Sequence, residues 1–87
     1  MDINELRMQI DSIDDQLIRL FVQRMALAKE IGLYKKANAI PVLDATREEA
    51  KLREIAAKAR PDIANYACSL YKALFDLSRQ YQNEVVK

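Results

Sequence analysis

The sequence contains no histidine and no tryptophan, and it has a single cysteine, Cys68. One cysteine cannot form a disulfide within the chain, and without histidine the usual ligand set of a structural zinc site is missing. The lack of histidine also excludes histidine-based acid–base catalysis and the serine–histidine–aspartate triad. Cys68 lies in an apolar stretch, so we expect a buried small side chain rather than a reactive thiol. We expect no metal site and no cofactor.

Glycine and proline are also scarce, with one glycine and two prolines in 87 residues. These residues usually interrupt helices and form turns, so their scarcity predicts long helices with few turns. Hydrophobic residues make up 51% of the chain, which is enough for a core. We therefore expect a single all-α domain over residues 1–87, with one long N-terminal helix and two shorter helices.

The chain lacks a strong charge of either sign, because its formal net charge is +1 at pH 7. Such a balance gives no strong electrostatic case for nucleic acid or an anionic membrane as a partner. No apolar run approaches the ~20 residues of a membrane-spanning helix. The first residues have neither the basic nor the apolar segment of a signal peptide. We expect a cytoplasmic protein that binds neither nucleic acid nor membrane.

What the sequence does have is a long apolar repeat, which predicts a first helix from about residue 3 to residue 38. Its members, hereafter the seam, are Ile3, Leu6, Ile10, Ile13, Leu17, Leu20, Arg24, Leu27, Ile31 and Tyr34. Such a helix is roughly 50 Å long, whereas a compact domain of this size is only about 30 Å across. Two shorter helices cannot cover it. We therefore predict a homodimer with paired long helices, or alternatively a monomer bent at Gly32.

The other helix boundaries follow from capping and proline signals. The second helix is expected to begin near Asp44, capped by Asp44 itself or by a capping box in Thr46-x-x-Glu49. It is expected to end before Pro61. The third helix is expected to begin at Pro61 or Asp62, since both residue types are favoured at helix N-termini.

Charged residues occupy positions where the first helix should be apolar. Arg24 lies on the seam, where a guanidinium is costly to bury unless an anion meets it. Lys35 follows 11 residues later, about three turns, so both cations face the same way. Arg7 lies about 100° away from Arg24 around the helix, so it would reach the same place only from the partner of an antiparallel dimer. An interhelical salt bridge is the simpler interpretation of Arg24 alone.

Polar residues also cluster on the two shorter helices. Asp44, Arg47 and Glu48 lie at i, i+3 and i+4 and share one face. Ser78 and Gln82 are four residues apart on the apolar stripe of the third helix. Each of these residues fits an ordinary role, such as a helix cap, a solvated charge or a buried hydrogen bond. Together with the cations they predict a polar pocket that contains carboxylates, a hydroxyl and an amide.

The sequence resembles the small all-α chorismate mutases, which are three-helix chains that form intertwined dimers. The resemblance covers nearly the whole chain. It rests on several stretches in the same order, namely Leu6-Arg7-x-x-Ile10-Asp11-x-Ile13-Asp14, Gln23-Arg24, Gly32-x-x-Lys35, Pro41-Val42-x-Asp44-x-x-Arg47-Glu48 and Ser78-x-x-x-Gln82. It implies an intertwined homodimer. It also implies the isomerisation of chorismate to prephenate without a cofactor, in phenylalanine and tyrosine biosynthesis.

The resemblance also implies catalytic roles for four residues. Arg24 would bind a substrate carboxylate within its own chain's pocket. Lys35 would contact a carboxylate and the ether oxygen, and Gln82 would donate to the same ether oxygen. Glu48 would accept a hydrogen bond from the ring hydroxyl.

Four further residues would complete the substrate site. Arg7 would bind a carboxylate in the pocket of the partner chain, and Ser78 would meet a carboxylate. The backbone near Asp44 would assist at the ring hydroxyl, and Arg47 would line the site.

Several alternatives stay open. Lys36 competes with Lys35 for the site lysine, and Arg79 either tunes affinity or faces solvent. An isochorismate–pyruvate lyase of the same fold is a rival activity, although the resemblance of Asp44-x-x-Arg47-Glu48 favours the mutase. Another possibility is that the chain is a non-enzymatic helical dimerisation module. Association of the chain with another enzyme of the same pathway is a further possibility.

Overall fold

The computed structural model describes residues 2–86. Helix α1 spans Ile3–Ala37, α2 spans Ala45–Lys58 and α3 spans Ala64–Val85. Residues 2–86 contain no strand. The prediction of an all-α chain with one long and two shorter helices is therefore confirmed, and α1 ends within one residue of its expected position.

The first two helices are capped at their N-termini by aspartates. The Asp2 carboxylate accepts a hydrogen bond from Glu5 N at 2.9 Å, and Asp44 Oδ1 accepts one from Arg47 N at 3.0 Å. These bonds satisfy amide groups that have no partner within the helix. The alternative capping box at Thr46 is wrong, because Thr46 already lies in the first turn of α2.

α1 ends in a tight turn that keeps the next segment close to Lys35. Ile40 N donates to Lys35 O at 2.8 Å and Ala39 N donates to Lys36 O at 3.3 Å, the pair of bonds of a Schellman motif. Ala39 adopts a φ of 53°, a conformation that usually favours glycine. The chain then runs back so that the Val42 carbonyl accepts a hydrogen bond from Lys35 Nζ at 2.8 Å.

The predicted start of α3 is wrong by two to three residues. Pro61 and Asp62 lie in a turn instead of the helix, and both Ile63 N and Ala64 N donate to Arg60 O at 2.9 Å. The Asp62 carboxylate pairs with the Arg60 guanidinium at 3.2 Å and does not cap the helix. A local ion pair thus replaces the capping interaction that the sequence suggested.

α3 lies between the other two helices and holds them together, because it packs against both α1 and α2. Gly32 makes the α1–α3 contact close. A Cβ placed on Gly32 would lie 3.0 Å from Gln82 Cγ and 3.2 Å from Gln82 Cα. The buried residues at this contact are few, namely Ala28, Gly32, Phe75, Ser78 and Gln82. Cys68 is only half-buried, and its thiol donates to the Leu52 carbonyl at 3.7 Å.

The N-terminal half of α1 has no cover within the chain. The molecule extends 54 Å along its longest axis, and every residue from 2 to 20 is exposed. α1 is continuous through Gly32, so the helix does not break there, as the monomer alternative required. The apolar seam residues are 44% to 64% exposed. Within residues 2–86, no helix is long and apolar enough to cross a membrane.

Candidate active site

A cavity of about 400 Å³ lies where the C-terminal half of α1, the start of α2 and the second half of α3 meet. Seven of the eight predicted site residues line it, namely Arg24, Lys35, Asp44, Arg47, Glu48, Ser78 and Gln82. Its apolar wall consists of Leu27, Ala28, Ile31, Val42 and Phe75. Arg7 lies on the exposed N-terminal half of α1 and does not line this cavity. Lys36 is exposed and absent from the lining, so of these two neighbouring lysines Lys35 is the one at the cavity.

Arg24 enters the cavity from the middle of α1 and contacts α3. Its Nη1 donates to the Ser78 hydroxyl, and its guanidinium carbon lies 6.0 Å from the centre of the Phe75 ring. Among residues 2–86, no carboxylate lies within ion-pair distance of Arg24. A salt bridge within the chain therefore does not explain this residue. A neutral hydroxyl and an aromatic ring orient the guanidinium but leave its charge available to an anion.

Lys35 is held at one end of the cavity by the turn that follows α1. Its ammonium donates to the Val42 carbonyl at 2.8 Å, and the side chain is half-buried. An ammonium carries three N–H donors, so one fixed bond orients the group while a ligand can meet the others. The position of Lys35 thus depends on the Schellman turn described above.

Gln82 lies on the wall that α3 contributes and is only 6% exposed. Its amide oxygen is buried and has no hydrogen-bond partner among residues 2–86. A buried amide without a partner costs about 1–3 kcal/mol, so its presence points to a ligand that supplies one. Rotation of the amide exchanges its oxygen and its N–H donors, which lets it serve either kind of partner.

Two cavity residues were missed or left open by the sequence reasoning. Arg79 Nε lies 3.3 Å from Glu48 Oε2, so the two form an ion pair across the α2–α3 contact. Lys51 lines the cavity and pairs with Glu54 at 3.4 Å. Their spacing was the available signal, because Lys51 lies three residues after Glu48 and Arg79 three residues before Gln82.

The cavity carries an excess of positive charge. Five cationic side chains line it and only two carboxylates, which leaves a formal excess of three positive charges. The cations are Arg24, Lys35, Arg47, Lys51 and Arg79, and the carboxylates are Asp44 and Glu48. Asp44 is also engaged in capping α2. Such a cavity attracts small anions and raises their local concentration. No group of three potential metal-binding side chains occurs in the described part of the chain.

Comparison with known proteins identifies a family and two relatives. The family model for chorismate mutase type II matches residues 6–83. The chorismate mutase of Methanocaldococcus jannaschii is 26% identical over 86 residues, which cover 95% of this chain and 86% of that protein. The T-protein of Haemophilus influenzae is 37% identical over 51 residues, 59% of this chain, and the match spans only 14% of that protein. No solved structure matches significantly.

Proposed function

The chain belongs to the chorismate mutase type II family, and from this premise we propose that it converts chorismate to prephenate. The family match confirms the resemblance and the isomerase class expected from the sequence. The observation that supports the activity best is the meeting of Arg24, Lys35 and Gln82 at one cationic cavity. The reaction belongs to the biosynthesis of phenylalanine and tyrosine.

The chemistry suits a site without histidine. Chorismate carries two carboxylates, a ring hydroxyl and an enolpyruvyl ether, and its rearrangement is unimolecular. Bonds form and break without proton transfer, so no general base or nucleophile is needed. The protein has to hold the substrate in a compact reactive conformer. Arg24 and Arg7 of the partner subunit would do so by each binding one carboxylate, with Ser78 and Arg47 lining the same site.

Lys35 and Gln82 would lower the barrier itself. Negative charge develops on the ether oxygen as its C–O bond lengthens. Donors aimed at that oxygen therefore stabilise the transition state more than the ground state. Support comes from the fixed Lys35 ammonium and the buried Gln82 amide at the same cavity. Glu48 would accept a hydrogen bond from the ring hydroxyl, with the backbone near Asp44 assisting.

The active form would be an intertwined homodimer. Its support is the exposed seam, which leaves large apolar side chains uncovered along half of α1. Arg7 lies on that half, so only a partner chain could bring it to the cavity. A cytoplasmic location and association with another pathway enzyme stay predictions.

The activity is tested by incubating the purified chain separately with chorismate and with isochorismate and identifying the products. We expect prephenate from chorismate. Release of pyruvate from isochorismate would instead favour the lyase. Turnover of neither compound would favour a dimerisation module and would contradict the proposal.

The residue roles are tested by two substitutions with a matched control. Lys35→Ala and Gln82→Ala should each lower kcat by about 10²–10³, the usual effect of removing one preorganised donor. Lys36→Ala removes a neighbouring lysine that does not line the cavity and should leave kcat nearly unchanged. Near-normal kcat in the Lys35 and Gln82 variants, at unchanged thermal stability, would refute the assignment.

A further inference from the structure

The ion pair between Glu48 and Arg79 joins two helices at the edge of the cavity. Glu48 lies in the first turn of α2 and Arg79 in the second half of α3. Arg79 Nε lies 3.3 Å from Glu48 Oε2, and both side chains are partly shielded from solvent, with 32% and 23% exposed. Both also line the cavity. The pair is therefore part of the cavity wall and is not an ordinary surface salt bridge.

Arg79 is itself fixed by its own helix. Its Nε donates to the Phe75 carbonyl at 3.4 Å, one turn back along α3. Phe75 is buried and contacts Arg24 through its ring. The Nε end of Arg79 is therefore bonded to a well-packed part of α3. Among residues 2–86, the only ion pair of the Glu48 carboxylate is with Arg79, and no residue of α2 anchors it. The position of the Glu48 side chain therefore depends on Arg79 more than the position of Arg79 depends on Glu48.

We propose that Arg79 is a positioning residue that holds the Glu48 carboxylate in place before substrate binds. The inference rests on the proposed function, in which Glu48 meets the ring hydroxyl. A glutamate side chain loses rotamer entropy when it is fixed, and in the ion pair that loss has already occurred before the substrate binds. Arg79 engages one carboxylate oxygen, and the other accepts the ring hydroxyl.

This role makes different predictions from two simpler ones. If Arg79 bound a substrate carboxylate directly, its loss would raise KM whatever residue stood at position 48. If Arg79 only stabilised the fold, its loss would lower thermal stability and leave the activity of the folded enzyme unchanged. A positioning residue instead loses its effect once the group that it positions has been altered.

The test is a double-mutant cycle on the full chain. Arg79→Gln and Arg79→Lys are made in the wild type and in a Glu48→Gln background, and kcat and KM for chorismate are measured. We expect Arg79→Gln to lower kcat/KM about tenfold in the wild type but less than about twofold beside Glu48→Gln. Arg79→Lys retains the charge at position 79 and should restore most of the loss.

The matched control is Lys58→Gln. Lys58 Nζ also pairs with a glutamate of α2, Glu54, at 2.6 Å, but both groups are exposed and neither lines the cavity. The substitution removes one positive charge and one ion pair to a glutamate, but away from the cavity. It should leave kcat/KM unchanged.

Four outcomes would overturn the inference. An equal loss in both backgrounds, confined to KM, would make Arg79 a direct substrate ligand. Unchanged kcat/KM together with a lower unfolding temperature would make the pair structural. A wild-type chain that forms no prephenate would refute the proposed function and this inference with it, whereas an active wild type with additive losses would refute this inference alone.

Discussion

The two halves of α1 share one helical repeat whose apolar members are exposed in both, but only the C-terminal half packs against another helix of the described chain. From residue 3 to residue 20, every side chain is exposed and no other helix of the chain covers the seam. From residue 21 onward, the helix packs against α3 and lines the cavity through Arg24, Ala28 and Lys35. The contact with α3 is therefore made beside the seam, at Ala28 and Gly32, and the long apolar repeat did not predict it.

Side-chain size distinguishes the face of α1 that packs on α3 from the exposed seam. The buried residues of the C-terminal half are Ala28 and Gly32, whose small size lets α3 approach closely. The seam of the N-terminal half carries only leucine and isoleucine, which hold a neighbouring helix about 8–10 Å away, and no other helix within residues 2–86 covers them. The small residues thus fit the contact within the chain, and the large ones fit a second copy.

The largest loss of activity should come from a substitution that disrupts the dimer contact proposed for the N-terminal half of α1. Leu17 is 53% exposed in the single chain, so Leu17→Lys should leave the fold of one chain intact. In the proposed dimer it would bury an unpaired charge, at a cost of several kcal/mol. We expect monomers by analytical ultracentrifugation and a loss of kcat/KM of more than about 100-fold, since the site then lacks Arg7.

Asp15→Lys is the control for this change. It introduces the same residue two positions away, on the outer face of α1, where the solvent accommodates a charge. Mass and activity should stay near those of the wild type. An active, dimeric Leu17→Lys chain would contradict the pairing of the two seams.

A smaller net loss of activity is expected when two variant chains are mixed, one altered in each half of α1. Arg7→Ala and Arg24→Ala should each lower kcat/KM by about 100-fold or more, because each removes one carboxylate ligand. If each site uses Arg24 of one chain and Arg7 of the other, a mixed dimer contains one intact site. Equal mixing with subunit exchange should therefore restore about one quarter of wild-type activity. No recovery, despite exchange shown by mass spectrometry, would place both arginines in the same chain's site.

The smallest loss of activity is expected from a change at the close contact between Gly32 and Gln82, in the C-terminal half of α1. Gly32→Ala places a Cβ 3.0 Å from Gln82 Cγ, so Gln82 has to move by a few tenths of an ångström. Alanine is the better helix former by about 1 kcal/mol, which offsets much of the strain in stability. We expect about a tenfold lower kcat with little change in unfolding temperature.

Lys29→Ala, on an exposed position of the same half, controls for the added alanine and should not change kcat. Wild-type kcat in Gly32→Ala would show that the close approach of α1 and α3 does not position Gln82.

Much of the fold was predictable because its signals are local. The apolar repeat and the scarcity of proline and glycine predicted α1 to within one residue, and the Asp44 cap was among the two expected. The start of α3 was wrong, since Asp62 pairs with Arg60 instead of capping. The left-handed turn at Ala39 carried no signal either, because a glycine is the usual mark of such a turn and none is present.

The site divides in the same way. The same-face spacing of Arg24 and Lys35 predicted a shared pocket, and both residues line the cavity. The pairing of Glu48 with Arg79 was not predictable, because it joins residues 31 positions apart on two helices whose relative rotation no local pattern specifies.

The sequence by itself determined three helices, a long uncovered seam and the residue types of an anion site, because periodicity, capping and charge act over a few neighbouring residues. Only the tertiary structure decided which partner each charged side chain contacts. Arg24 turns to Ser78, Lys35 to Val42 and Arg79 to Glu48. The physical reason is that helix packing sets these distances, and it depends on which side chains are small enough at the contact, as Gly32 is against Gln82.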